Sequence, residues 1–126
     1  MADYSVSIVE SSKELTGKER VALKNLDDCV SLDDAITPDT PKVVIDVKDY
    51  VILNVHNEKS DSKDYEKYII YDKSGTRYIT GSHPFFTTFE EIFSEMKDDD
   101  EEWSLVVYKR ESNNYKGKQF LTCTII

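Results

Sequence analysis

From Lys42 to Asn57 apolar and polar residues alternate. Val43, Ile45 and Val47 fall to one side with Asp46 and Lys48 to the other, and Val51, Leu53 and Val55 then oppose Asn54 and His56. A period of two is the mark of a half-buried strand. The run exceeds an ordinary strand, so it predicts one strand bent by a bulge near Asp49 and Tyr50, or two strands meeting there. Bending of this kind is what closes a small barrel. The stretch "YEKYIIYDKSGTRYITGS" reads as a hairpin: a β-rich run from Tyr65 to Tyr71, a turn at Asp72 to Gly75, and a second strand from Thr76 to Thr80. Two more β-rich runs, "WSLVVYKRES" and "KGKQFLTCTII", are joined by "NNYKG", where Gly117 is available for a positive φ.

Helical spacing occurs twice. In "LTGKERVALKNLDD", Thr16 and Glu19 stand at capping-box spacing ahead of Val21, Leu23 and Leu26, which predicts a short helix. In "HPFFTTFEEIFSEM", Phe89, Ile92, Phe93 and Met96 fall at i, i+3, i+4, i+7, so that face is expected to pack inward, with Thr87 or Thr88 as the cap. "SLDDAITPDTP" is expected to be a loop, because Pro38 and Pro41 interrupt any regular element. The order is therefore a helical piece, a long strand, a hairpin, a helix and a last hairpin. This is the order of a small five-stranded, OB-like Greek-key barrel with a helix between strands 3 and 4; a split α+β sheet is the alternative. The length, 126 residues, suits a single domain spanning residues 1–126.

Charge changes the picture because it is unevenly placed. The formal net charge is -9. Between Glu90 and Glu102 eight acids face only Lys97, a net -7, which leaves -2 for the other 113 residues. From Trp103 to Ile126, Lys109, Arg110, Lys116 and Lys118 outnumber Glu111. A locally positive surface on an acidic protein is thus expected. The opening "MADYSVSIVESS" has no basic region leading into an apolar stretch, and no long apolar run follows, so neither export nor membrane insertion is indicated. Cys29 and Cys123 lie far apart beside apolar residues and are expected to be reduced core thiols.

Catalytic chemistry finds no assembled motif. His56 and His83 neighbour no nucleophile pattern, and Gly75 and Gly81 lack the spacing and lysine of a phosphate loop. "DDDEE" lacks the alternating oxygens and glycine turn of a calcium loop, so it reads as a solvated acidic segment. No enzyme activity, cofactor or metal is expected. What remains is cations interleaved with aromatic rings on predicted strands and turns. Single-stranded nucleic acid is held by flat rings on which bases stack and by cations along the phosphates. Tyrosines also favour half-buried sheet faces for their own sake. The residues assigned to a nucleic-acid surface are Lys48, Tyr50, His56, Lys67, Arg77, Lys109, Arg110, Tyr115, Lys116 and Lys118.

The segments "LTGKERVALKNL", "VILNVHNEKS", "YITGS", "FFTTFEEIFSEM" and "NNYKGKQFLTCTII" together resemble the small single-stranded DNA-binding proteins carried by phages and mobile elements of Gram-positive bacteria. The resemblance runs from about Leu15 to Ile126. It implies an OB-like fold and no cofactor. The implied task is coating transient single strands during phage replication or recombination in the cytoplasm of a bacterial host. Replication or recombination proteins are the implied partners, and pairing of an exposed barrel edge would give a homodimer. Carried over by position, Tyr115 supplies a stacking face, Lys116 and Lys118 meet phosphate, and Gly117 lets the turn approach closely. One departure stands out: bacterial single-strand binders commonly end in an acidic tail, whereas here the acidic run is internal, Asp98 to Glu102. The charge also leaves a competing expectation, an acidic phage protein that occupies a host nucleic-acid enzyme as a DNA mimic.

Overall fold

The computed structural model describes residues 4–59, 63–111 and 119–126. Its elements are β1 (Tyr4–Ser11), α1 (Gly17–Ala22), β2 (Val30–Ser31), α2 (Leu32–Ala35), β3 (Lys42–Ile45), β4 (Val47–Asn57), β5 (Asp64–Asp72), β6 (Arg77–Thr80), α3 (His83–Met96), β7 (Leu105–Glu111) and β8 (Gln119–Ile125). The chain is mainly β, as expected. Pairing among the described residues gives two sheets, of order β1-β4-β5-β6-β2 and β3-β7-β8, and no closed ring of strands. Two compact units result: Met1–Val30 with Lys48–Gly81, and Ser31–Val47 with Ser82–Ile126.

The first unit is built on β4. Its alternation puts Val51, Leu53 and Val55 on one face, where they bury with Val6, Leu15, Leu23 and Ile69. Leu26, Cys29, Tyr65, Tyr71 and Ile79 close the edges of this core. β1 runs antiparallel to β4 with a register shift between Ile8 and Glu10. α1 starts at the predicted capping box: Glu19 N–H donates to Thr16 Oγ1 at 3.2 Å, and Thr16 N–H to Glu19 Oε1 at 3.0 Å. The expected hairpin forms from β5 and β6, pairing Tyr68 with Thr80 and Tyr71 with Arg77. Its turn is closed by Gly75 N–H to Asp72 O at 2.9 Å, and Gly75 takes φ +97, which an L side chain rarely adopts.

The second unit lays α3 along β8 of the three-stranded sheet. β7 pairs with β3 on one side, Lys42 to Tyr108 and Ile45 to Leu105, and with β8 on the other, Leu105 to Ile125 and Glu111 to Gln119. Ile45, Leu105, Val107, Leu121 and Cys123 are buried, as are Phe85, Phe86 and Phe89 of α3. The phenylalanines pack on one another, with ring centroids 5.6 Å apart for Phe86 and Phe89 and 5.8 Å for Phe89 and Phe93.

Three expectations are corrected. The long alternating run does divide, but at Asp46 rather than near Tyr50, and its two halves belong to different sheets. Asp46 is exposed, and its carboxylate accepts from Ser104 Oγ at 2.5 Å. α3 begins earlier than Thr87: Ser82 is the cap, accepting from Phe85 N–H at 3.3 Å, with Pro84 in the first turn, where a missing N–H costs nothing. Of the four residues expected to pack inward Phe89 is buried and Ile92, Phe93 and Met96 are half-buried, and the earlier helix start adds Phe85 and Phe86 to the buried end of the stripe. β1 and the single helical turn α2 were not anticipated.

Candidate nucleic-acid interface

Of the expected site residues that the structure describes, Lys48, Tyr50, His56, Lys67 and Arg77 fall in the first unit and Lys109 and Arg110 in the second. Lys48 is exposed at the start of β4. Tyr50 donates its hydroxyl to Glu10 Oε2 at 3.1 Å. The ring of His56 lies between two carboxylates, with Nε2 2.7 Å from Glu58 Oε1 and Nδ1 2.9 Å from Asp64 Oδ1. Hydrogen bonding to Asp64, then to Glu58, raises its pKa above the usual histidine value. Lys67 sits over the Tyr65 ring at 5.8 Å, on the core side of β5. Arg77 is largely covered: Nη1 reaches Ala22 O at 3.4 Å and Nη2 lies 3.8 Å from Asp28. Tyr68 is buried, and Tyr65 and Tyr71 pack against the first core, so these rings serve the fold. Tyr115, Lys116 and Lys118 lie outside the described residues.

The last hairpin separates two adjacent cations. Neighbours along a strand point to opposite faces. Lys109 therefore turns to the buried side of β7, where its ammonium donates to Asp33 O at 2.9 Å and Ile36 O at 3.2 Å and so caps the end of α2. Arg110 turns to the other side and is exposed.

That other side is the candidate site. Directly paired residues of antiparallel strands project to the same face. Lys42 opposite Tyr108, Tyr108 opposite Thr122, and Arg110 opposite Phe120 thus form one cross-strand row after another on a single face of β3-β7-β8. Val44, Val106 and Thr124 complete it. Lys42 and Arg110 are exposed, Tyr108 is half-buried, and Phe120 is 39% exposed although it is a phenylalanine. Within the paired strands no position of this face is acidic, in a chain with 25 acids; Asp46, next in step after Val44, stands at its far end bonded to Ser104. Arg110 and Phe120 stand at the two roots of the segment 112–118, which in sequence carries Tyr115, Lys116 and Lys118.

Sequence reasoning missed Lys42 and Phe120 and did not single out Tyr108. The signal was present, since Tyr108-Arg110 and Phe120-Thr122 are period-two pairs in adjacent strands. Without the register, nothing tied Lys42 to them. Among the described residues no group of His, Cys, Asp and Glu is arranged to hold a metal ion, and no helix is long and apolar enough to cross a membrane. No protein-family model, no curated protein and no solved structure matches the chain.

Proposed function

We propose that the chain is a non-catalytic protein that binds single-stranded DNA with little regard to sequence, as the family resemblance implies for phage replication or recombination. The observation that carries this reading is a row of strand positions with no acid among them: two rings, Tyr108 and Phe120, alternating with two cations, Lys42 and Arg110. Rings on a flat sheet accept any base, because every base has a stacking face, and the cations follow the phosphates. The segment with Tyr115, Lys116 and Lys118 joins the two strands that carry three of these four residues, so it extends the same chemistry along the chain. The OB-like barrel belongs to this proposal as the finer description of the fold, supported by the order long strand, hairpin, helix, hairpin.

A fluorescence titration with poly(dT) at about 50 mM and about 200 mM salt tests it, with binding expected at the lower concentration and strongly weakened at the higher. Phe120→Ala should cost about 1–3 kcal/mol of affinity, the worth of one stacked base, while leaving the chain folded with a melting temperature lowered only modestly, because the residue is 39% exposed. Absence of binding at low salt would overturn the reading. The competing role, a DNA mimic that occupies a host enzyme, is favoured by the net -7 of Glu90 to Glu102. Replacing Lys42, Arg110, Lys116 and Lys118 by Ala separates the two, since it abolishes function under the first and spares it under the second.

A further inference from the structure

The outer side of α3 carries an apolar groove that the proposed DNA surface does not use. Ile92 and Met96 of α3 and Ile125 of β8 line it, with Glu91 and Glu95 at its rim, and its volume is about 290 Å³. Ile125 belongs to the face of the sheet opposite that of Tyr108 and Phe120, so the groove and the ring-bearing face lie on different sides of the second unit. Ile92 and Met96 are only half-buried there, although they continue the packed stripe of Phe85 and Phe89, and Ile125 is 38% exposed. The next residue, Ile126, is 70% exposed.

The surroundings of the groove decide what it can take. The acidic run Asp98 to Glu102 begins two residues after Met96, which lines the groove. It ends two residues before Ser104, which is fastened to Ile126 by a pair of backbone hydrogen bonds of 3.1 Å and 3.0 Å. Both ends of the acidic segment are therefore anchored beside the groove, and Glu91 and Glu95 flank it one turn apart. Nucleic acid and anionic lipid are repelled from such a rim. The depression is open rather than enclosing, so it suits a large apolar side chain or two laid across it and not a ligand buried on most sides. An apolar floor with an acidic margin fits an amphipathic segment whose apolar residues are flanked by Lys or Arg.

We propose that this groove is a docking site for a cationic amphipathic segment of a partner protein, separate from the DNA-binding face. A fluorescein-labelled peptide with leucines at helical i, i+3, i+4 spacing among lysines and arginines is the probe, titrated against the full chain. A control peptide has every Leu replaced by Ser. Binding of the first peptide and at least about tenfold weaker binding of the second are expected. Met96→Asp adds an acid while spoiling the floor, so the proposal requires weaker binding, whereas attraction by charge alone requires tighter binding. E91Q/E95Q leaves the floor untouched and should weaken binding as well, which keeps the test valid if Met96→Asp is poorly folded. Poly(dT) affinity of both variants should match that of the parent chain, so failure here and failure of the DNA reading are distinguishable. Equal binding of the two peptides, or unchanged or tighter binding by Met96→Asp, overturns the proposal. Sedimentation that shows an oligomer dispersed by Met96→Asp assigns the groove to a second copy of the chain and overturns it too.

Discussion

Lys109 and Arg110 adjoin in sequence and do opposite jobs. One ammonium is held by two backbone carbonyls, and the other cation projects beside an exposed ring. The strand's period of two dictates this split, although both were expected on one surface, whereas nothing in the sequence signals the covering of Arg77 by the α1 segment. His56 shows the same limit, since its two carboxylate neighbours come from the loop after β4 and the start of β5. Its raised pKa fixes the sign of a pH effect. The His56 clamp contributes stability fully below the ordinary histidine pKa and loses it as pH rises through the raised value. Asp64, held below the usual carboxylate range by hydrogen bonding to His56, adds a contribution that disappears as pH falls through its own lowered pKa. His56→Gln should therefore melt below the parent chain at pH about 5.5 and converge with it by pH about 8.5, with the His56 ring protons of the parent titrating above the usual value of about 6.5. A melting difference that grows with pH would refute the clamp. Cys123, whose thiol burial pushes up to about 12, should react with thiol reagents only on unfolding.

Among the elements, α3 is the one on which the second core depends. Phe89 is fully buried and touches three other phenylalanine rings. Phe89→Ala should lower unfolding free energy by about 3–5 kcal/mol in denaturant titrations, a combination of lost transfer energy and a cavity. Ser82→Ala removes the cap and should cost about 1 kcal/mol. Thr87→Ala should cost much less than Ser82→Ala if Ser82 is the true cap. Elements specified by neighbouring residues were legible: the Thr16 capping box, the Asp72 to Gly75 turn and the β5-β6 hairpin. β1 was not, because in Tyr4–Ser11 only Val6 is buried, so the strand is held by its ladder to β4 rather than by an apolar face. The assignment of Lys42–Ile45 and Val47–Asn57 to different sheets was hidden for a related reason. Each half alternates correctly, and only pairing with strands remote in sequence reveals that they part at Asp46.

At the scale of the molecule, the net charge of -9 says little about which ligand is held, because what matters is where cations lie free of acids. Four cations, Lys42, Arg110, Lys116 and Lys118, each meeting one phosphate, predict a slope of log affinity on log salt of about -3, falling to about -2 in Arg110→Ala. A slope near zero would mean that rings alone hold the strand. In the second unit, the acids of α3 and the cations beside Tyr108 occupy opposite sides of one thin layer of sheet. Such a layer is a permanent electric couple. In the field of a polyanion it experiences a torque before it experiences contact, so under the proposed function molecules drifting toward a bared strand would arrive already turned with their rings foremost, and few collisions would be wasted on the wrong side.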